Sequence, residues 1–211
     1  MAMFRMRKRC PPWRTWLFCL FCLTPLEEAH ANSITYLFEG TVDEISGPAF
    51  ESPHPFKLGQ VITGSFTYQP AAGDAFLVPR QNYYDGAITD LVILIGPYTG
   101  TGAQYALSNI GILNGFSHQF RFTSLATGPT INGSPLAGFH FTLEDLTGQA
   151  LASQSLEAIP PLSAFSIKNF RLVFSDEINV SVLHGRLTTL TFVPLPASAG
   201  LFPSKAIDGR P

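Results

Sequence analysis

The feature that most constrains the fold of this chain is the alternation of apolar and polar residues in short runs. In the first run, Ile34, Tyr36 and Phe38 alternate with Thr35 and Glu39. Successive side chains of a β-strand point to opposite faces, so this pattern predicts a strand with one buried face. Similar runs recur between Gly, Pro and Asn turn signals, and helical periodicity is nearly absent. The pattern therefore predicts an all-β fold.

These runs predict eight strands, at residues 34–42, 60–68, 86–95, 102–109, 117–125, 138–145, 169–175 and 179–192. The run at 86–95 is the most apolar, which indicates a central strand covered on both faces. Dense turn signals at 69–85 predict a long loop. Residues 146–157 are the one segment predicted to form a short helix.

The spacing of the turns is typical of a β-sandwich. We predict a single antiparallel β-sandwich of jelly-roll type at residues 32–192, with two sheets about 10 Å apart over a phenylalanine core. A single barrel is the alternative. Once residues 1–31 are removed, the remaining 180 residues are the size of one domain.

Residues 1–31 have the three regions of a secretory signal peptide and are expected to form its helix. The basic residues come first: Arg5, Arg7, Lys8, Arg9 and Arg14. An apolar run at 16–26 follows, and Ala29 and Ala31 mark a cleavage site that leaves Asn32 as the first mature residue. The alternative is a retained anchor, but a spanning helix needs about 20 apolar residues. We therefore predict export and cleavage by signal peptidase.

Cleavage changes the composition of the chain. All three cysteines lie in the removed segment, so the mature chain has no disulfide, thiolate metal site or cysteine nucleophile. The segment also contains five of the 13 basic residues and two of the 15 acidic ones, which leaves a mature net charge of about −5. Nucleic acid is not an expected partner, because its binding needs clustered Lys and Arg to neutralise phosphates.

No constellation of residues indicates catalysis. The mature chain has four scattered histidines without metal-ligand spacing: His54, His118, His140 and His184. A G-x-S-x-G motif is absent. Carboxylates occur as adjacent pairs such as Glu144 and Asp145, which point to opposite faces of a strand and cannot form a glycosidase pair with each other. We therefore predict a protein without catalytic residues.

Calcium is the one metal for which the sequence offers ligands. Asp74, Asp85 and Asp90 flank the predicted loop, and calcium in extracellular proteins is bound by oxygen ligands on loops. The D-x-D-x-D spacing is absent, and ordinary Asx turns are the alternative. No other cofactor is expected.

Four internal segments and the C-terminal tail carry a family resemblance. The segments are ITYLFEGTV at 34–42, LGQVITGSFTY at 58–68, YDGAITDL at 84–91 and GRLTTLT at 185–191. The tail has Val193-Pro194-Leu195-Pro196-Ala197, followed by Leu201 and Phe202. With these features the chain resembles bacterial exported proteins of the PEP-CTERM class, in a variant with Pro-Leu-Pro in place of Pro-Glu-Pro. The resemblance implies export and a tail that an exosortase-type membrane enzyme recognises.

The tail at 193–211 departs from the family pattern. In the family, a transmembrane helix and a basic cluster follow the motif directly, whereas residues 203–211 supply neither. The alternative for the two prolines is a plain extended end to the last strand. We therefore expect a degenerate sorting tail and a periplasmic or extracellular protein that an exosortase does not anchor.

Two functional hypotheses follow. The first is an exported, non-enzymatic protein of the envelope or extracellular matrix, associated with exopolysaccharide. It is based on the export signal, the tail and the lack of a catalytic constellation. The second is a secreted polysaccharide hydrolase whose two carboxylates come from separate strands and lie about 5 to 10 Å apart in a cleft.

Overall fold

The computed structural model describes residues 33–70, 75–103, 108–156 and 158–194, with the side chains of these residues except 75–78 and 103. The predicted signal helix lies outside the described residues. Eleven strands are formed: β1 (Ile34–Ser46), β2 (Val61–Tyr68), β3 (Ala75–Val78), β4 (Gln81–Asp85), β5 (Ile88–Ile95), β6 (Tyr98–Ala103), β7 (Asn109–Asn114), β8 (His118–Leu125), β9 (Leu136–Asp145), β10 (Ile167–Ser175) and β11 (Val180–Val193). Two 3₁₀ turns, Pro48–Phe50 and Leu162–Ala164, are the helical elements in these ranges.

All strands belong to one hydrogen-bonded sheet, in the order β3-β4-β7-β8-β9-β10-β11-β1-β2-β5-β6. Every neighbouring pair is antiparallel. The prediction of an all-β antiparallel fold is therefore confirmed. The two separate sheets of a jelly-roll sandwich are not confirmed, because hydrogen bonds run without a break from β7 through β11 to β1 and β2.

The sheet curls so that its two halves face each other across aromatic rings. The Phe66 ring of β2 lies 4.8 Å from the Phe122 ring of β8, and Phe38 of β1 lies 5.3 Å from Phe139 of β9. Two hydrogen bonds between Thr101 of β6 and Thr127, which follows β8, also join the halves. Each buried phenylalanine contributes roughly 1.5–3 kcal/mol by leaving water. The phenylalanine core was predicted to lie between two separate sheets. It lies instead between the two halves of one curled sheet.

Glycines next to phenylalanines allow the central strands to approach closely. Gly64 of β2 is the direct partner of Phe38, and Gly185 of β11 is the direct partner of Phe170. In both pairs the phenylalanine ring covers the glycine, and an added Cβ would overlap the ring and the neighbouring strand's backbone. An aromatic ring over a glycine is a recognised means of bending a sheet while keeping its core filled.

Seven of the eight predicted strands are confirmed, with ends shifted by at most four residues. The exception is the strand predicted at 102–109, because β6 ends at Ala103 and β7 begins at Asn109. The long loop predicted at 69–85 is also wrong, since it contains β3 and β4. The many turn-forming residues in this segment made the two short strands look like a loop in the sequence. Strand β4 also depends on its pairing with β7, which is distant in the chain.

The helix predicted at 146–157 is wrong for residues 146–156, which form turns and extended backbone. The Asp145 carboxylate accepts hydrogen bonds from the backbone amides of Thr147, Gln149 and Ala150 at 2.7–2.9 Å. These amides therefore bind a side chain, and the segment turns across the sheet instead of starting a helix. Further along the chain, the backbone amide of Ile159 donates a hydrogen bond to the Tyr36 hydroxyl at 2.7 Å.

No helix within the described ranges combines the length and the apolar character that crossing a bilayer requires.

Candidate functional site

The described surface has a groove of about 550 Å³ across strands β8, β9, β10 and β11. We call it the outer groove, because it lies on the face opposite the phenylalanine core. The alternation of the strands puts Phe122, Phe141 and Phe170 into the core and their neighbours into the groove. The side chains that line the groove are mostly polar: Arg121, Thr123, His140, Thr142, Glu144, Asn169, Arg171 and His184.

The strand register arranges these side chains in rows. Thr123, His140, Arg171 and His184 are consecutive cross-strand partners, so they form one row across all four strands. Arg121, Thr142, Asn169 and Arg186 form the next row. Cross-strand partners lie about 5 Å apart, and the rows therefore form a continuous polar strip.

His140 is a half-buried polar group of the strip. Its Nδ1 atom lies 3.3 Å from the Thr123 hydroxyl. Its ring also occupies the space above Gly138, where an added Cβ would lie 3.1 Å from Nε2. Burial, and secondarily the positive charge of Arg171, lowers the pKa of His140 to about 4. The imidazole is therefore neutral at neutral pH and offers a donor and an acceptor without a charge.

Arg121 is held in place by a chain of hydrogen bonds. Its Nε atom donates to Gln119 at 2.8 Å, and the Gln119 amide donates to Glu144 at 2.7 Å. Ser117 donates to the same Glu144 oxygen at 2.8 Å. Glu144 is thus already engaged by two donors and orients Arg121 indirectly.

The arginines of the groove lack acidic partners. Among the described residues the one ion pair is between Arg186 and Asp43, at 3.8 Å and largely exposed. Arg121 and Arg171 therefore form none with the described carboxylates. Since the mature chain is expected to be acidic overall, two unpaired guanidinium groups in one groove are a local departure from its charge balance.

A carboxylate pair for hydrolysis is not found in the grooves. Glu144 is the only carboxylate that lines the outer groove. A second groove of about 460 Å³, on β11, β1, β2 and β5, is lined by one carboxylate, Glu39, together with threonines and the exposed Leu37 and Leu94. Neither groove brings two carboxylates to the separation that glycosidases require.

The structure describes four of the residues that the sequence proposed for sorting, cleavage and calcium. Val193 ends β11 opposite Thr35, and Pro194 follows it. Asp85 ends β4 and Asp90 lies in β5, and both are exposed. The other candidates lie outside the described residues: Ala29, Ala31, Asn32, Asp74, Leu195, Pro196 and Ala197. Within the described ranges, no group of three His, Cys, Asp or Glu side chains is arranged to hold a metal. The calcium site stays a prediction.

Sequence reasoning missed the arginines of the outer groove and the role of Asp145. The polar positions between phenylalanines did indicate an exposed face, but only the order of β8 to β11 makes those positions one surface. Asp145 is 3% exposed, and its pKa is held far below the usual range by hydrogen bonds from the Gln149 amide and from Thr147, which the sequence did not indicate. Its neighbour Glu144 faces the groove, which confirms that this adjacent pair is split between two faces.

The curled sheet and its outer groove define an all-β protein with an open, polar and locally cationic face. Comparison of the chain with protein-family models, with curated proteins and with solved structures gave no match. The PEP-CTERM resemblance therefore stays a prediction, and a functional conclusion depends on the groove itself.

Proposed function

We propose that this chain is an exported, non-enzymatic protein of the envelope or extracellular matrix that binds exopolysaccharide in its outer groove. The observation that carries the proposal is the strip of hydrogen-bonding side chains on four adjacent strands. Export is supported by the signal-like sequence of residues 1–31 and by the PEP-CTERM resemblance.

The chemistry of the strip matches the hydroxyl-rich surface of a sugar chain. Thr123 and Thr142 offer hydroxyls, Asn169 offers an amide, and His140 offers a neutral imidazole. Each sugar hydroxyl can donate and accept, so it can pair with any of these groups. From β8 to β11 the groove crosses three strand spacings, about 14 Å, which suits a chain of linked sugars better than a single ring.

A binding role is favoured over hydrolysis by the state of Glu144. Acid–base hydrolysis of a glycoside uses two carboxyl groups that flank the scissile bond. Glu144 is the one carboxylate of the outer groove, and its Oε1 atom already accepts bonds from Ser117 and Gln119. The groove therefore suits binding without bond cleavage.

Retention of the purified protein on immobilised alginate, xanthan, dextran and cellulose tests the proposal. We expect retention on at least one polymer and a loss of roughly tenfold in affinity when Thr142 and Asn169 are both replaced by alanine, because two hydrogen-bonding groups are removed. The matched control replaces Thr63 and Thr189 of the second groove by alanine and is expected to bind normally. Absence of retention on every polymer, or an equal loss in the control, would contradict the proposal.

A further inference from the structure

We propose that the outer groove selects acidic polysaccharides, with Arg121 and Arg171 binding two carboxylate groups along the same polymer. This inference rests on the proposed function and adds the chemical class of the ligand. The observation behind it is that both arginines line one groove without an acidic partner among the described residues.

The position of the two arginines suits a repeated charge. Arg121 lies on β8 and is the direct partner of Thr142 on β9, which is the partner of Asn169 on β10. Arg171 is two residues further along β10 and sits beside His140. Two strand spacings and two residues separate the Cα atoms of the arginines by about 12 Å. A polymer with a carboxylate on every sugar, or on every second sugar, presents charges at intervals that two long side chains can match.

The groups around the arginines favour a carboxylate as the ligand. A guanidinium group has a planar fork of donors that matches the two oxygens of a carboxylate. Gln119 and Glu144 restrict Arg121 by hydrogen bonds, so less side-chain freedom is lost when it binds. His140 is neutral and Thr123 lies beside it, so both can donate to the same anion or to a neighbouring sugar hydroxyl.

The charge balance disfavours a nucleic acid as the polyanion. The described part of the chain places Arg121 and Arg171 in the groove and Arg186 at its edge beside Asn169, paired with Asp43. Two unpaired cations are few for a phosphate backbone, whose binding depends on many neutralised charges. They are sufficient to distinguish an acidic sugar chain from a neutral one.

Binding of the full chain to alginate and to carboxyl-reduced alginate tests the inference. The two polymers differ only in whether the acidic group is a carboxylate or an alcohol. We expect affinity for alginate to be at least roughly tenfold higher, since two charge-assisted contacts are lost with the reduced polymer. We also expect R121Q and R171Q each to weaken alginate binding by roughly fivefold, without changing binding of the reduced polymer.

The matched control is R80Q, which removes the same charge from the exposed turn before β4, a position that does not line the groove. It is expected to bind alginate within about twofold of the unmodified protein, because the Arg80 guanidinium lies 6.0 Å from the Phe116 ring and not in the groove. Circular dichroism and thermal unfolding establish that all three variants are folded.

Four results would overturn the inference. Equal affinity for alginate and its reduced form would do so while leaving the proposed function intact, whereas retention on no polysaccharide at all would remove both. An equal loss in R80Q would show that binding depends on the net charge of the protein and not on the groove. Tighter binding of single-stranded DNA than of alginate would show a general polyanion site instead of selection for acidic sugars.

Discussion

Two tyrosine hydroxyls in the core show how differently single residues can contribute. The Tyr36 hydroxyl accepts the Ile159 amide at 2.7 Å and lies 3.3 Å from the Ile159 carbonyl oxygen, so it fastens a distant loop to β1. The Tyr98 side chain is 3% exposed, and its hydroxyl has no hydrogen-bond partner among the described residues. Burial raises the pKa of Tyr98 to about 12. One hydroxyl therefore stabilises the fold and the other carries an uncompensated desolvation cost.

The substitution Tyr98→Phe is expected to leave the free energy of unfolding unchanged or raise it by about 1 kcal/mol, because it removes a buried polar atom without a partner. Tyr36→Phe is the matched control, and it should lower the same quantity by about 1–2 kcal/mol by leaving the Ile159 amide unpaired. Urea unfolding of both variants measures the difference. Equal destabilisation by the two substitutions would contradict this account of Tyr98.

His140 is expected to make stability depend on pH. Its folded pKa of about 4 lies below the ordinary value of 6.5, so between these limits the unfolded chain binds more protons than the folded one. Stability is therefore highest above about pH 6.5 and falls as the pH decreases toward 4, by about 1–3 kcal/mol after allowance for the partly exposed ring.

Replacing His140 by Gln should flatten this part of the profile. Denaturant unfolding at several pH values between about 7 and 4 measures it. The acid losses that come from Asp145 and Asp176, whose pKa values are lowered by hydrogen bonds, fall at lower pH and should remain in the variant. An unchanged slope in His140→Gln would show that another group causes the loss.

At the scale of elements, contacts between strands matter more than the propensity of any one segment. Strand β4 exists because it pairs with β7, and the segment after β9 is diverted from a helix because Asp145 binds its amides. The central strands β10, β11, β1 and β2 depend on glycines that lie beneath Phe38 and Phe170.

The substitution Gly185→Ala tests this dependence. Its Cβ would overlap the Thr41 carbonyl oxygen and the Phe170 ring, so overpacking should lower the free energy of unfolding by about 2–3 kcal/mol. Gly115→Ala is the control, because its added Cβ has no neighbour closer than 4.0 Å. It should change the free energy of unfolding by less than about 0.5 kcal/mol. Thermal unfolding of both variants measures the two changes. A tolerated alanine at position 185 would mean that the strands can separate without cost.

At the scale of the whole molecule, the fold presents one face to its own core and the other to solvent. Phenylalanines occupy the inner face of the curled sheet, and the outer face of β8 to β11 carries the polar strip of the groove. The core thus uses every second residue of these strands, and the residues between them are left available for binding.

Export is the prediction that concerns the molecule as a whole. We expect the protein recovered from the periplasm or medium of an expressing bacterium to begin at Asn32, because signal peptidase cleaves after a small-x-small site such as Ala29-His30-Ala31. Mass spectrometry of the intact exported protein measures its mass directly. Ala31→Arg replaces the small side chain that the peptidase needs, so it is expected to prevent processing. A mature chain that still begins at Met1 would contradict the prediction.

The sequence by itself determined the all-β class, seven strands and the split of Glu144 and Asp145 between two faces, because strand periodicity is local and can be counted along the chain. Tertiary structure alone decided that the strands form one curled sheet, that Asp145 organises a turn, and that Arg121, His140 and Arg171 share a groove. These features depend on which strands become neighbours. That choice is made by packing between residues far apart in the chain, such as Phe66 against Phe122, and alternation does not encode it.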